Sequence, residues 1–278
     1  MKRRPLLCAV AAAALTFGLS AAPAHAQVQE RTIRFGHVVQ PGAPVALGVA
    51  RFAELVNQRS GGKIRIQELG GEAQQLSAVQ GGVQDMTQLS ATIMGGVIKE
   101  FTLLDIPFSF SRGEQVDALL AGPFGQALTA RLPDKGLIGL GFWETGFRHF
   151  TNSRKPIVNV EDLKGLKLRV IPNPLFLESF AALGANPVPM AFPELYGALE
   201  SKAMDAQENP FAVILTSRFH EVQKFLSVTS HVYTANPVVM SKKLWDRLSA
   251  EERKILQDSL TEAAAYQRKV SRDSAAGG

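Results

Sequence analysis

Cysteine is almost missing from this 278-residue chain, Cys8 being the only one. Everything after it therefore lacks disulfides, thiol nucleophiles and cysteine-held metals, and a chain of this size can bury enough core without staples. Long apolar runs are equally scarce. Beyond residue 26 no segment is apolar enough to span a bilayer. No basic block interleaved with aromatics is present, which argues against a nucleic-acid partner. Neither a Gly-x-Ser-x-Gly elbow nor a P-loop occurs. Gly136-x-x-Gly139-x-Gly141 reverses the order of a dinucleotide loop and reads as strand-packing glycine. His37, His149, His220 and His231 include no pair at i+3 or i+4, so a helical zinc pair is not encoded. The paired carboxylates Glu251-Glu252 read as helix N-terminal charge. No metal or cofactor is expected, and an enzyme has no positive support.

The first 26 residues have the form of an export signal. Lys2, Arg3 and Arg4 precede an apolar stretch, Leu6 to Leu19, and Ala24-His25-Ala26 supplies the small-x-small cleavage pattern. The stretch is about 14 residues, short of the ~20 that a spanning helix needs. Cleavage after Ala26 and a periplasmic location are expected. The signal holds three of the 30 basic residues and none of the 25 acidic ones, leaving 27 against 25. Most of the basic character thus belongs to the leader.

From Thr32 the chain alternates strands and helices. Thr32 to Val39 is β-branched and aromatic. Val45, Val49, Phe52 and Val56 then fall on one helix face, Gly61-Gly62 stops that helix, and Lys63 to Leu69 reads as a second strand. This is a β-α-β unit with a parallel pair and a right-handed crossover. Further strands are expected near Asp85–Leu89, Leu137–Trp143, Phe147–Asn152 (half exposed), Leu166–Val170, Asn186–Met190, Ala203–Gln207, Phe225–Thr229 and Val232–Val239. Helices are expected between them, and a capping box at Ser249-x-x-Glu252 opens the last one. The fold class is α/β. A change of texture near residue 145 suggests two lobes: 27–145 with 235–274 returning to it, and 146–234.

Leu166, Leu168 and Val170 share one strand face, so Lys167 and Arg169 take the other. Arg169 falls near the carboxyl end of a parallel strand, where open α/β sheets place ligands. A guanidinium there can grip a carboxylate with two parallel hydrogen bonds, though a solvated strand arginine has the same pattern. Arg148 lies among aromatics, near Trp143, which suits either a ligand cation or a stacked surface arginine. Asn209, before Pro210, offers an amide to a cleft or simply starts a turn. Phe192 is an apolar lid or core. His37 is a ligand donor or a strand-end histidine.

Several stretches together resemble one family: Phe35-Gly36-His37-Val38-Val39, Leu104-Asp105-Ile106-Pro107-Phe108, Leu163 to Val170, Leu183 to Phe192, and Asp205 to Pro210. They look like the DctP-type solute-binding receptor of tripartite ATP-independent periplasmic (TRAP) transporters, from about Thr32 to the last helix. The resemblance implies a two-lobed periplasmic-binding-protein-like fold with parallel or mixed sheets, helices on their faces and an interlobe ligand cleft. It implies that Arg169 binds a substrate carboxylate, that Arg148 assists, and that Asn209 and Phe192 face the ligand. Ser90 stands where sialic-acid-type members place a glutamate, which argues against sialic acid. Phe35 to Val39 is closer to dicarboxylate members, whereas Trp143 and Arg148 resemble acid-sugar binders. A C4-dicarboxylate, a sugar acid and a related hydroxy or keto acid stay open. The implied partners are small and large integral membrane subunits, with the receptor a monomer. The rivals are a periplasmic sensor module that binds the same carboxylate and a secreted enzyme. The family usually continues some tens of residues past this end, so both a natural end and a fragment end at Gly278 stay open.

Overall fold

A computed structural model of the chain describes residues 28–69 and 74–276; the expected export signal and its cleavage site lie outside them. Among the described residues, ten strands form two five-stranded sheets. The first contains β1 (Arg31–Gly36), β2 (Ile64–Leu69), β3 (Met86–Gln88), β4 (Leu137–Phe147) and β10 (Tyr233–Ser241), in the order β2-β1-β3-β10-β4. The second contains β5 (His149–Asn152), β6 (Lys167–Val170), β7 (Asn186–Pro189), β8 (Ala206–Asn209) and β9 (Phe225–Ser227), in the order β7-β6-β8-β5-β9. In each sheet three adjacent strands run parallel, as β-α-β crossovers require, and one reversed strand, β10 in the first and β5 in the second, pairs antiparallel both with them and with the outer strand, β4 or β9.

The expected first unit is present. The helix α1 (Pro44–Arg59) begins with proline at its first position, where a missing N–H costs nothing. It buries Val45, Val49, Phe52 and Val56. These meet Ile33 and Phe35 of β1 and the inner face of a 27-residue helix, Ala250–Ala276. The capping box of that long helix is reciprocal. Ser249 Oγ accepts from Glu252 N at 3.1 Å, and Glu252 Oε2 accepts from Ser249 N at 2.8 Å. Glu252 does more than complement the dipole, because it also binds Arg31 Nε at 2.9 Å and so ties β1 to the helix start. Gly139 and Gly141 are packing positions. A Cβ at Gly139 would sit 2.7 Å from Leu132 Cδ1, and one at Gly141 would sit 3.3 Å from Leu260 Cδ2.

The chain passes between the sheets twice, from β4 to β5 and from β9 to β10. The two crossings are stitched together by Arg148 N donating to Val232 O at 2.9 Å and His231 N donating to Arg148 O at 3.3 Å. Separate hydrophobic clusters fill each sheet's surroundings. No helix among the described residues is long and apolar enough to cross a membrane.

Two local readings need correction. The half-exposed strand expected over Phe147–Asn152 is β5, and all four of its residues are buried, since it lies between β8 and β9. The strand expected at Ala203–Gln207 lies at Ala206–Asn209. Gln207, Glu208 and Asn209 look unlike buried strand residues in sequence, but each finds a buried polar partner.

Candidate functional site

A cleft of about 260 Å³ separates the two sheets, with walls drawn from both. Val38, Val39, Gln88 and Ser90 come from the first-sheet side, and Arg169, Phe192 and Asn209 from the second. Thr145, Arg148, Thr234 and Asn236 lie where the chain crosses.

Arg169 is held by β6 between β7 and β8, and only 2% of it is exposed. It is not the solvated strand arginine that its pattern equally allowed. Its Nε and Nη2 donate to the Met190 carbonyl at 3.0 and 2.7 Å. That acceptor lies just past β7 and fixes one edge of the planar fork. Nη1 has no hydrogen-bond partner among the described residues, and no carboxylate there lies within 4 Å of the guanidinium. Burial lowers the Arg169 pKa to about 10, with the Glu208 charge pulling up and the Arg148 charge pushing down. The group is still a cation near neutrality. The Phe192 ring centroid lies 5.9 Å from its Cζ, so this residue forms an apolar wall beside the cation.

Arg148 also lines the cleft, but its charge is already matched. Its Nε bonds Glu208 Oε2, and its Nη2 bonds Glu208 Oε1 at 2.8 Å. Nη1 donates to Thr234 Oγ1 at 3.0 Å. Asn209 Oδ1 accepts from Nη2 at 3.2 Å, while Asn209 Nδ2 donates to Gln207 Oε1 at 2.6 Å. Glu208 is fully buried. Burial pushes its carboxyl up, but the Arg148 charge and the His231 and Arg148 hydrogen bonds together hold it below the usual carboxylate range. Burial keeps His231 below its ordinary pKa despite Glu208, so its ring is neutral near pH 7. Its Nε2–H then donates to Glu208 at 3.2 Å, and its Nδ1 accepts from the Thr229 hydroxyl at 2.8 Å.

Ser90 lines the opposite wall and caps the short helix Ala91–Met94, its Oγ 3.4 Å from Ile93 N. Two expected site residues are elsewhere. His37 is buried beside the cleft rather than in it: the register of β1 on β2 brings its Nε2 within 2.6 Å of Glu68 Oε1, and Val38 and Val39 form the wall instead. Trp143 is core. It stacks on Phe35 at 5.7 Å beneath α1, and only 2% of it is exposed.

Glu208, His231, Thr234, Gln88 and Asn236 were not expected. A signal existed for two of them. Thr234 and Asn236 are polar, two apart and set in an apolar strand, which puts both on one face. Glu208 had only its motif context, because its partner Arg148 is 60 residues away. Among the described residues no group of three His, Cys, Asp or Glu side chains could hold a metal ion.

Residues 35–276 match the family described as bacterial extracellular solute-binding protein, family 7, or DctP. The chain belongs to this family. It is 38% identical, over 86% of its length and 75% of the relative's, to the 2,3-diketo-L-gulonate-binding periplasmic protein YiaO of Escherichia coli K12. It is 32% identical to the C4-dicarboxylate-binding periplasmic protein DctP of Rhodobacter capsulatus, covering 98% of this chain and 83% of that one. Among solved structures, the sugar acid binding protein DctPAm from Advenella mimigardefordensis, in complex with galactonate, superimposes with a TM-score of 0.88. That match has 40% identity and covers 90% of this chain and 82% of the other. The family 7 fold explains why two lobes face one another across a cleft. The protein is therefore a solute-binding receptor of the TRAP type, and members of its family are periplasmic and act with membrane permease subunits.

Proposed function

We propose that this protein captures a small organic carboxylate in the periplasm by docking it on Arg169, closes its lobes over it, and presents the closed form to a TRAP permease. The observation that carries this reading is a guanidinium 2% exposed, inside the cleft, with no acidic partner among the described residues. A buried charge is costly unless paired, so such a site favours an incoming anion. The ligands named for relatives, 2,3-diketo-L-gulonate, C4-dicarboxylates and galactonate, all carry a carboxylate.

Arg169 is the primary ligand contact. Asn209 and Arg148 shape the cleft floor, Phe192 covers the cation, and Ser90 approaches from the other lobe. Closure pivots about the two crossings, at Arg148 and at residues 228–232, with lobes over 27–145 plus 235–274 and over 146–234. The protein acts as a monomeric carrier without catalysis, exported by its signal and cleaved after Ala26. Its partners are the small and large membrane subunits.

Calorimetry on Arg169→Ala tests the capture role. Truncating one partner of a buried charged contact costs about 2–5 kcal/mol, so affinity falls at least ~30-fold. An unchanged dissociation constant refutes the role.

A further inference from the structure

Resting on that capture reading, we propose that the cleft is built for one carboxylate only. Its ligand is a monocarboxylate whose other polar groups are neutral hydroxyls or carbonyls, and a second carboxylate is rejected.

Arg148 and Arg169 are the only charged side chains among the described residues lining the cleft; neither lysine nor histidine lines it. Two arginines look at first like a clamp for a diacid. Arg148, however, is committed to Glu208 through both Nε and Nη2, and to Thr234 through Nη1. Glu208 is fully buried and ionised, so it cancels the Arg148 charge at hydrogen-bond distance. What Arg148 can still offer a ligand is one N–H on Nη1, a donor without net charge behind it.

Arg169 is thus the single cleft cation without a paired carboxylate among the described residues. Met190 O occupies its Nε/Nη2 edge, which leaves the Nη1/Nη2 edge as one two-pronged fork. One carboxylate satisfies it completely. The walls beyond are Val38 and Val39, with the neutral groups of Gln88, Thr145 and Asn236. These can bond hydroxyl and carbonyl oxygens, but they cannot neutralise an anion. A diacid would leave its second charge desolvated and unpaired, the kind of repulsive element that gives specificity. Glu208 is then the specificity-determining residue, although it does not line the cleft: by quenching Arg148 it sets the charge of the site at one.

The test is calorimetry at pH 7.5 on the intact exported chain, with acids matched in carbon number. Galactonate is compared with galactarate, erythronate with tartrate, and 4-hydroxybutyrate with succinate. The expected result is that at least one monoacid binds, and its matched diacid binds at least roughly 30-fold more weakly, the low end for an unpaired buried charge. A diacid that binds as tightly as its monoacid overturns the proposal while leaving carboxylate capture intact. If no acid of the panel binds or raises the melting temperature, the capture reading itself falls, and this inference with it.

A gain-of-function variant gives a second readout. Ser90→Lys adds a cation on the wall opposite Arg169 at a partly exposed position. It is expected to narrow the preference for monoacid over diacid by roughly tenfold or more, the effect of one charge-assisted contact. An unchanged ratio in a folded variant would count against charge counting as the basis of selection.

Discussion

Replacing Arg169 by residues that keep its bulk but change its chemistry separates charge, fork geometry and packing. Lysine keeps the charge as a point. It can reach either Met190 O or the ligand with good geometry, but it cannot hold one edge against a carbonyl while presenting the other as a fork. One charge-assisted hydrogen bond is worth about 1.5–3 kcal/mol, so Arg169→Lys should weaken binding roughly 10- to 100-fold. Methionine removes the charge and fills much of the same space. In the ligand-free protein Arg169 carries a desolvation penalty that the more distant Glu208 and Glu194 charges offset only in part, which is why its pKa is lowered. Arg169→Met relieves that penalty and loses the hydrogen bonds to Met190 O, worth about 1 kcal/mol each, and the contact of the cation with the Phe192 ring, worth about 0.5–1 kcal/mol. The ligand-free variant should therefore melt within a few degrees of the parent, or above it, while binding is lost. Thermal melts with and without ligand, alongside calorimetry, give both numbers. Arg169→Met that binds like the parent, or Arg169→Lys of equal affinity, refutes the fork. A large fall in ligand-free stability would mean that Arg169 is structural rather than poised for an anion.

Glu208→Gln strands the Arg148 cation in a buried site, and urea unfolding should show a loss of about 3–5 kcal/mol, the usual cost of breaking a buried pair. A loss below about 1 kcal/mol would contradict the pairing. Burial raises Asp105 to about 7 against the Arg148 charge, whereas the unfolded carboxyl titrates near 3.8. Between those values the folded state holds the extra proton, so this group withdraws stability as pH rises from about 4 to 7. The melting temperature of Asp105→Asn relative to the parent should therefore climb between pH 5 and pH 8, and a constant difference would contradict a raised pKa. Trp143→Phe should lower stability by about 1–3 kcal/mol through lost packing on Phe35, yet leave carboxylate affinity within twofold. A large affinity loss would return Trp143 to the site.

The amino-acid sequence by itself determined the features that depend on neighbours along the chain. The 3.6-residue spacing of Val45 to Val56 specified α1, and Ser249 with Glu252 specified the start of the last helix. Period two put Arg169 on the face opposite Leu168, at the carboxyl end of a parallel strand, because alternation is a property of extended backbone itself. The ordered motifs carried the family and the two-lobed α/β class. Periodicity says which face a side chain takes, but not what covers that face. Trp143 and His37 were misjudged for that reason: α1 closes over one, and Glu68 on the adjacent strand claims the other. Only tertiary structure could bring Glu208 onto Arg148 from 60 residues away, hide both from water, and leave Arg169 as the one cleft cation without a counter-charge among the described residues. Charge compensation is set by distance in space and by burial, and neither can be read from spacing along a chain.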